Sequence, residues 1–415
     1  MTQRYDTYKD SGVQWLGEIP GHWEMSKISS HFRQRNEKVS DKDYPALSVS
    51  KQGVTPQLDN VALSNAEGTS RKLVKVGDYA VNSRSDRKGS CGVSKYEGSV
   101  SLITIVLEPF NINGEYVHYL FRSNPWVEEF YRNGRGIVAD LWTTNYQMMK
   151  SMYMPVPPLS EQRSIVSYLD AKCGKIDEWV TKKQKEVEHL QELKQRVIAD
   201  AVTRGLNPHV KMKATNSPWL KEIPEHWEMR KMKYLFDERS EKNHPNEPML
   251  SATQSEGVIL QSKYQGRVVV VNTGFEGLKL VKVGDFVIHL RSFQGGIEYA
   301  HYRGIISSAY TILNPKYPEY SAYYKRLFKS SSFIDLLKIC VTGIREGQNI
   351  NYSKLKQFSI PVPPLSEQKQ IVSYLDAKCS KIDKLIANIT KEIERIKEYK
   401  QRLISDVVTG QIKVC

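Results

Sequence analysis

Arg84, Arg87 and Lys88 fall within one polar stretch, "NSRSDRKG", from Asn82 to Gly89. Guanidinium and ammonium groups at that density bind phosphates, and Arg or Gln can also offer bidentate hydrogen bonds to a guanine or adenine edge. A matching stretch, "HLRSFQGG" from His289 to Gly296, brings Arg291 and Gln294. A second pair of polar loops follows. "LWTTN" supplies Thr143 and Thr144, and "GIREGQN" supplies Arg345, Gln348 and Asn349. A third pair sets Lys51 and Gln52 against Gln254 and its neighbour Ser255. These are residue types that read a polyanion through hydrogen bonds rather than break a covalent bond. The bland alternative is that each stretch is a solvated hairpin tip. Asn145 and Asn351 recur at one relative position, which assigns them to the fold rather than to recognition.

The charge balance points the same way. A formal net charge of +14 makes a polyanion the favoured partner, of which a nucleic acid is one kind. Chemistry of other kinds lacks its residues: there is no GxxxxGK[ST] phosphate loop, no GxGxxG after a strand, no nuclease-type carboxylate cluster and no His/Cys ligand set. The chain therefore reads as non-catalytic, with no metal or cofactor of its own. Its five cysteines are scattered without a CxxC pair, as in reduced cytosolic thiols. A polar N-terminus and the lack of a long apolar run predict a soluble, cytoplasmic protein.

The elements that must hold these loops are written twice. "PVPPLSEQ" at Pro155 returns letter for letter at Pro361, and both copies continue into "IVSYLDAKC". "WLGEIPGHWEM" from Trp15 returns as "WLKEIPEHWEM" from Trp219, and "LVKVGDY" from Leu73 as "LVKVGDF" from Leu280. The matched blocks form a frame, and the segments between them share little. This predicts a tandem duplication: α+β heads at 1–154 and 215–360, each followed by a helical region, at 155–214 and 361–415. Within the heads, "DYAVNSR", "DFVIHLR", "SLITIVLEP" and "VVVVNTG" read as strands, with KVGD joining a strand pair, and "GEYVHYLFRSNPWVEEFYRN" and "YSAYYKRLFKSSSFIDLLK" as helices.

Each helical region predicts one long helix, over about 160–204 and about 366–409, with Ser160 and Ser366 as N-caps and Gly205 and Gly410 as stops. Ile382, Ile386, Ile389, Ile393, Ile396 and Leu403 follow the four-three spacing of a coiled-coil seam, and Ile176, Val180, Val187, Leu190 and Val197 hold the same register. The expected arrangement is an antiparallel coiled coil with the heads at its two ends. Gly174 and Ser380 suggest a bend before the seam. Ile176 to Thr203 would span about 40 Å, so the helices would set the distance between two sites.

These blocks, together with "KDSGVQWLGEIPGHWE", closely resemble the specificity (S) subunit of type I restriction–modification systems over essentially the whole chain. The resemblance implies two target-recognition domains, each reading half of an asymmetric, bipartite site in double-stranded DNA. It further implies that the helices dock two modification (M) subunits and, in the full complex, restriction (R) subunits. S-adenosylmethionine, ATP and Mg2+ would then sit on those partners, which would methylate adenine and cleave DNA. The alternative of another class is a two-headed protein-binding scaffold.

Overall fold

The computed structural model describes residues 3–57, 70–136, 142–264, 274–342 and 349–414. By packing, the chain forms two compact units, Met1–Lys183 with Lys391–Cys415, and Gln184–Thr390. Each unit is α+β, and the two share one plan. The expected strand "VVVVNTG" lies mostly outside the described residues.

In the first unit a four-stranded antiparallel sheet runs in the order Cys91–Val93, Tyr79–Asn82, Thr104–Pro109, Phe32–Arg35. The second unit repeats that order with Glu298–Tyr299, Phe286–Ile288, Thr311–Pro315 and Phe236–Arg239. Alternation along the strands buries both faces. Tyr79, Val81, Ile105 and Leu107 enter one apolar cluster, while Ala80 and Val106 enter another. In the second unit Phe286, Ile288 and Leu313 face one cluster, and Val287 and Ile312 the other.

The KVGD turn does not join a paired hairpin. Arg71–Val74 and Tyr79–Asn82 belong to different sheets, as do Lys279–Val281 and Phe286–Ile288. The cause is the aspartate. Asp78 accepts a hydrogen bond from the Lys75 backbone N–H at 2.8 Å and a fork of two from Arg35 at 2.7 and 3.2 Å. Asp285 does the same for Lys282 at 2.7 Å and Arg239 at 2.8 and 3.2 Å. The turn is thus a pinned corner that carries the chain from one sheet to the next.

Each stretch read as a single helix is two. Pro125 and the serines before it and at Ser330 divide them into Gly114–Arg122 and Asn124–Arg132, and Ser321–Leu327 and Ser331–Ile339. The long helices run Leu159–Arg204 and Leu365–Val408. They start earlier than Ser caps imply. The carbonyls of Pro158 and Pro364 close the first turns onto the N–H groups of Gln162 and Gln368, which leaves Ser160 and Ser366 inside the helices. Neither helix breaks at Gly174 or Ser380. Cys173 and Cys379, one residue earlier, are buried in the head cores, and that packing outweighs the roughly 1 kcal/mol a mid-helix glycine costs.

The N-terminal turns of each long helix pack in the head that precedes them, through Ile165, Leu169 and Cys173 or Ile371, Leu375 and Cys379. The C-terminal turns pack in the other repeat's head. Leu403, Ile404, Val407 and Val408 complete the first core, and Ile198, Ala201 and Val202 the second. Within each unit the two helices therefore run antiparallel, tied by Lys400 to Asp177 at 2.7 Å and by Lys194 to Asp383 at 2.6 Å. Along the seam Val180, Ile382, Ile389, Ile393 and Leu403 are buried, and Ile176, Val187, Leu190, Val197, Ile386 and Ile396 are half-buried. Gly205 and Gly410 stop the helices with φ of +76°. A Cβ at Gly410 would come 2.3 Å from Pro20, and one at Gly205 2.8 Å from Glu367, so only glycine lets these ends lie so close.

Candidate nucleic-acid interface

The sheet of the first head delivers its last strand residue, Asn82, directly to the basic loop. The Asn82 side chain accepts the N–H of Arg84 at 3.2 Å, and the Tyr131 hydroxyl donates to the carbonyls of Asn82 at 3.1 Å and Arg87 at 3.3 Å. The second polar loop arrives at the same place. Arg84 and Thr143 form an isolated antiparallel bridge, and the N–H of Thr144 donates to the Ser83 carbonyl at 3.1 Å. Two loops some sixty residues apart in sequence thus meet as one surface.

Arg84, Arg87 and Lys88 are exposed on it, and Thr143 is half-buried. Thr144 is not available for recognition: it is fully buried, and its hydroxyl donates to the Phe130 carbonyl at 2.8 Å. A threonine hydroxyl satisfies itself on a nearby backbone carbonyl when no solvent reaches it. Asn145 and Asn351 cap short helices by accepting the N–H of Met148 and Lys354.

The cations are internally paired. Arg84 lies 3.0 Å from Asp86, and Lys88 lies 2.8 Å from Glu128. Exposed pairs of this kind contribute little to stability, so a phosphate can displace the carboxylate at small cost. Lys51 and Gln52 are exposed at the tip of the hairpin Leu47–Ser50 and Gly53–Pro56, where Arg122 donates to the Lys51 carbonyl. Beside Arg122, His118 is held down to about pKa 4, first by burial and then by the Arg122 charge.

In the second head Arg291, Gln294 and Gln254 are exposed. Lys329 brings two of the loops together, donating to the carbonyls of Gln254 at 3.2 Å and Gly295 at 2.9 Å. Asn349 is exposed at the start of a short strand, and its carbonyl accepts from the Thr342 hydroxyl at 3.3 Å. Arg345 and Gln348 lie outside the described residues. No helix among the described residues is long and apolar enough to cross a membrane.

Residues 220–395 match the family model described as "Type I restriction modification DNA specificity domain". The MjaVIII type I restriction enzyme specificity subunit of Methanocaldococcus jannaschii is 25% identical, over 95% of this chain and 94% of its own. The EcoDI specificity subunit of Escherichia coli is 20% identical, over 95% of this chain and 90% of its own. Both relatives align with this chain over nearly its whole length, so the chain is similar to the type I specificity subunits. A chain solved in a study of assembly and conformational transition of the type I R-M system shares its fold, with a TM-score of 0.65 at 15% identity, covering 94% of this chain and 98% of that chain.

The twice-written motifs of this chain meet each other in space. The "WEM" strand pairs with the "PVPP" strand in both units, Met25 opposite Pro155 and Met229 opposite Pro361. The glutamate of "SEQ" then closes the joint. Glu161 accepts the Tyr5 hydroxyl and lies 2.8 Å from His22 Nε2, and Glu367 accepts Trp227 Nε1 at 2.9 Å and lies 2.7 Å from His226 Nε2. Sequence reasoning missed this staple, although the paired recurrence of "HWE" and "SEQ" carries its signal. It also missed Arg122 and Lys329, which tie the candidate loops to the rest of each head across about seventy residues with no local pattern to betray them.

Proposed function

We propose that each head of this specificity subunit reads one half of an asymmetric, bipartite site in double-stranded DNA, and that the long helices dock two modification subunits and, in the full complex, restriction subunits. The observation that carries this reading is that one frame presents unlike side chains at the same place: Arg84, Arg87 and Lys88 in one head, Arg291 and Gln294 in the other. Identical frames with different exposed donors suit two different half-sites. Methyl transfer with S-adenosylmethionine and ATP-driven, Mg2+-dependent cleavage belong, in this reading, to the partner subunits.

Exchanging residues 1–154 for the first head of a relative should change one half of the methylated motif and leave the other intact, as read by methylome sequencing. A change in both halves would overturn the reading. Affinity for random duplex should fall steeply as salt rises, because several phosphate contacts release counterions. A protein-binding scaffold would show no such slope. The helices are expected to set the unread spacer, and one heptad added to both should lengthen it while keeping the seam in register.

A further inference from the structure

Glu298 is fully buried on the edge strand of the second head's sheet. Its Oε1 accepts a hydrogen bond from Lys329, the same ammonium that holds the carbonyls of Gln254 and Gly295. All three ammonium protons are then used. On the other side stands His289. Its Nδ1 accepts the N–H of Arg291 at 3.2 Å, which leaves the ring proton on Nε2, and that nitrogen faces Glu298 Oε1 at 3.6 Å. Gln294, in turn, donates its N–H to the Arg291 carbonyl at 2.9 Å. Lys329 thus mounts the backbone at Gln254 and Gly295 on one buried carboxylate. His289, within ion-pair range of that carboxylate but with Nε2 making no hydrogen bond to it, holds the Arg291 N–H and through Arg291 the backbone of Gln294.

The first head keeps the outer ties and lacks the centre. Asn82 stands where His289 does and accepts the Arg84 N–H at 3.2 Å, and Arg122 stands where Lys329 does and donates to the Lys51 carbonyl. In place of Glu298 is Gly92, where even a Cβ would come 3.0 Å from the Gly53 Cα. A buried ion pair is a poor source of stability, since desolvation cancels much of the attraction. Its value here must lie in placing the groups around it.

Resting on the reading of the heads given above, we propose that His289, Glu298 and Lys329 form a positioning triad that fixes the reading loops of the second head, so that selectivity at one half-site depends on a carboxylate that does not touch DNA. The test uses the full chain assembled with its modification subunits and a pool of randomised duplexes, with methylated sequences read out for both halves. The charge-balanced double variant Glu298→Gln with Lys329→Met is expected to lose about tenfold or more of the discrimination between matched and mismatched bases in one half. Discrimination in the other half, and the salt slope for random duplex, should not change. Lys329→Arg, which borrows the first head's solution, should stay within about threefold of the parent. Glu298→Gln alone carries the same expectation as the double variant, so misfolding of the latter would not leave the question open. Unchanged discrimination in a folded variant, or equal loss in both halves, would overturn the triad alone. A parent complex that discriminates in neither half would instead overturn the reading of the heads.

Discussion

The two heads are identical where the chain turns and different where it faces outward. Arg35 grips Asp78 as Arg239 grips Asp285, with fork distances that agree to about 0.1 Å. Beside these corners, the first head steadies its basic loop with a surface pair, Lys88 to Glu128, and the second with a half-buried one, Lys329 to the buried Glu298. The contrast separates two kinds of constraint. Corners and strand order are fixed by burial, whereas loop supports have several interchangeable solutions because only the placement of the loop matters.

The frame half of that comparison breaks most severely. Asp78→Ala and Asp285→Ala each remove the forked partner of a largely buried arginine, leaving Arg35 only Glu108 at 3.4 Å and Arg239 Glu241 at 3.5 Å with Asn314 at 3.0 Å, and each should cost about 3–5 kcal/mol in urea unfolding. The two losses should match; a large inequality would show that the corners are not equivalent. A pH effect should separate the heads. His118 is pushed to about 4 in the folded first head, below its ordinary unfolded value near 6.5. The unfolded chain then binds more protons between those values, so stability should be full above about pH 6.5 and fall as pH drops towards 4, by up to about 3 kcal/mol. His118→Phe should remove that component of the pH dependence. The second head carries Lys325 at the matching place and should lack it.

Replacing Arg84, Arg87 and Lys88 together by Ala should weaken cognate binding by about 1–3 kcal/mol for each base edge that is no longer read, in one half-site only, with assembly unaffected. Unchanged binding would reduce the loop to a solvated tip. The smallest effect belongs to the helix pairs. Asp177→Asn and Asp383→Asn should each cost less than about 1 kcal/mol, and equally, because both aspartates are exposed.

The duplication was legible because letters repeat, and the long helices because their apolar residues keep a period. "PPLSEQ" marked the helix start, yet the side chain that matters there is Glu161 rather than Ser160, since its partners Tyr5 and His22 lie about 140 residues and more away in sequence. The candidate recognition loops could be named by residue type. Their convergence could not, because the bridge from Arg84 to Thr143 is made by backbone groups that every residue carries. Burial of Thr144 escaped for the same reason: its neighbour Thr143 has the same side chain and a different environment.

Val202 and Val408 each sit in a core assembled mainly by the opposite repeat. A single repeat on its own would thus have an open core and a helix end with nowhere to go. Two such copies could trade ends and close by two-fold symmetry, as domain-swapped homodimers do. An ancestor of that kind would have presented the same loops twice and read a palindrome. Fusing two such copies into one chain would remove the demand for symmetry and leave each set of loops free to diverge from the other.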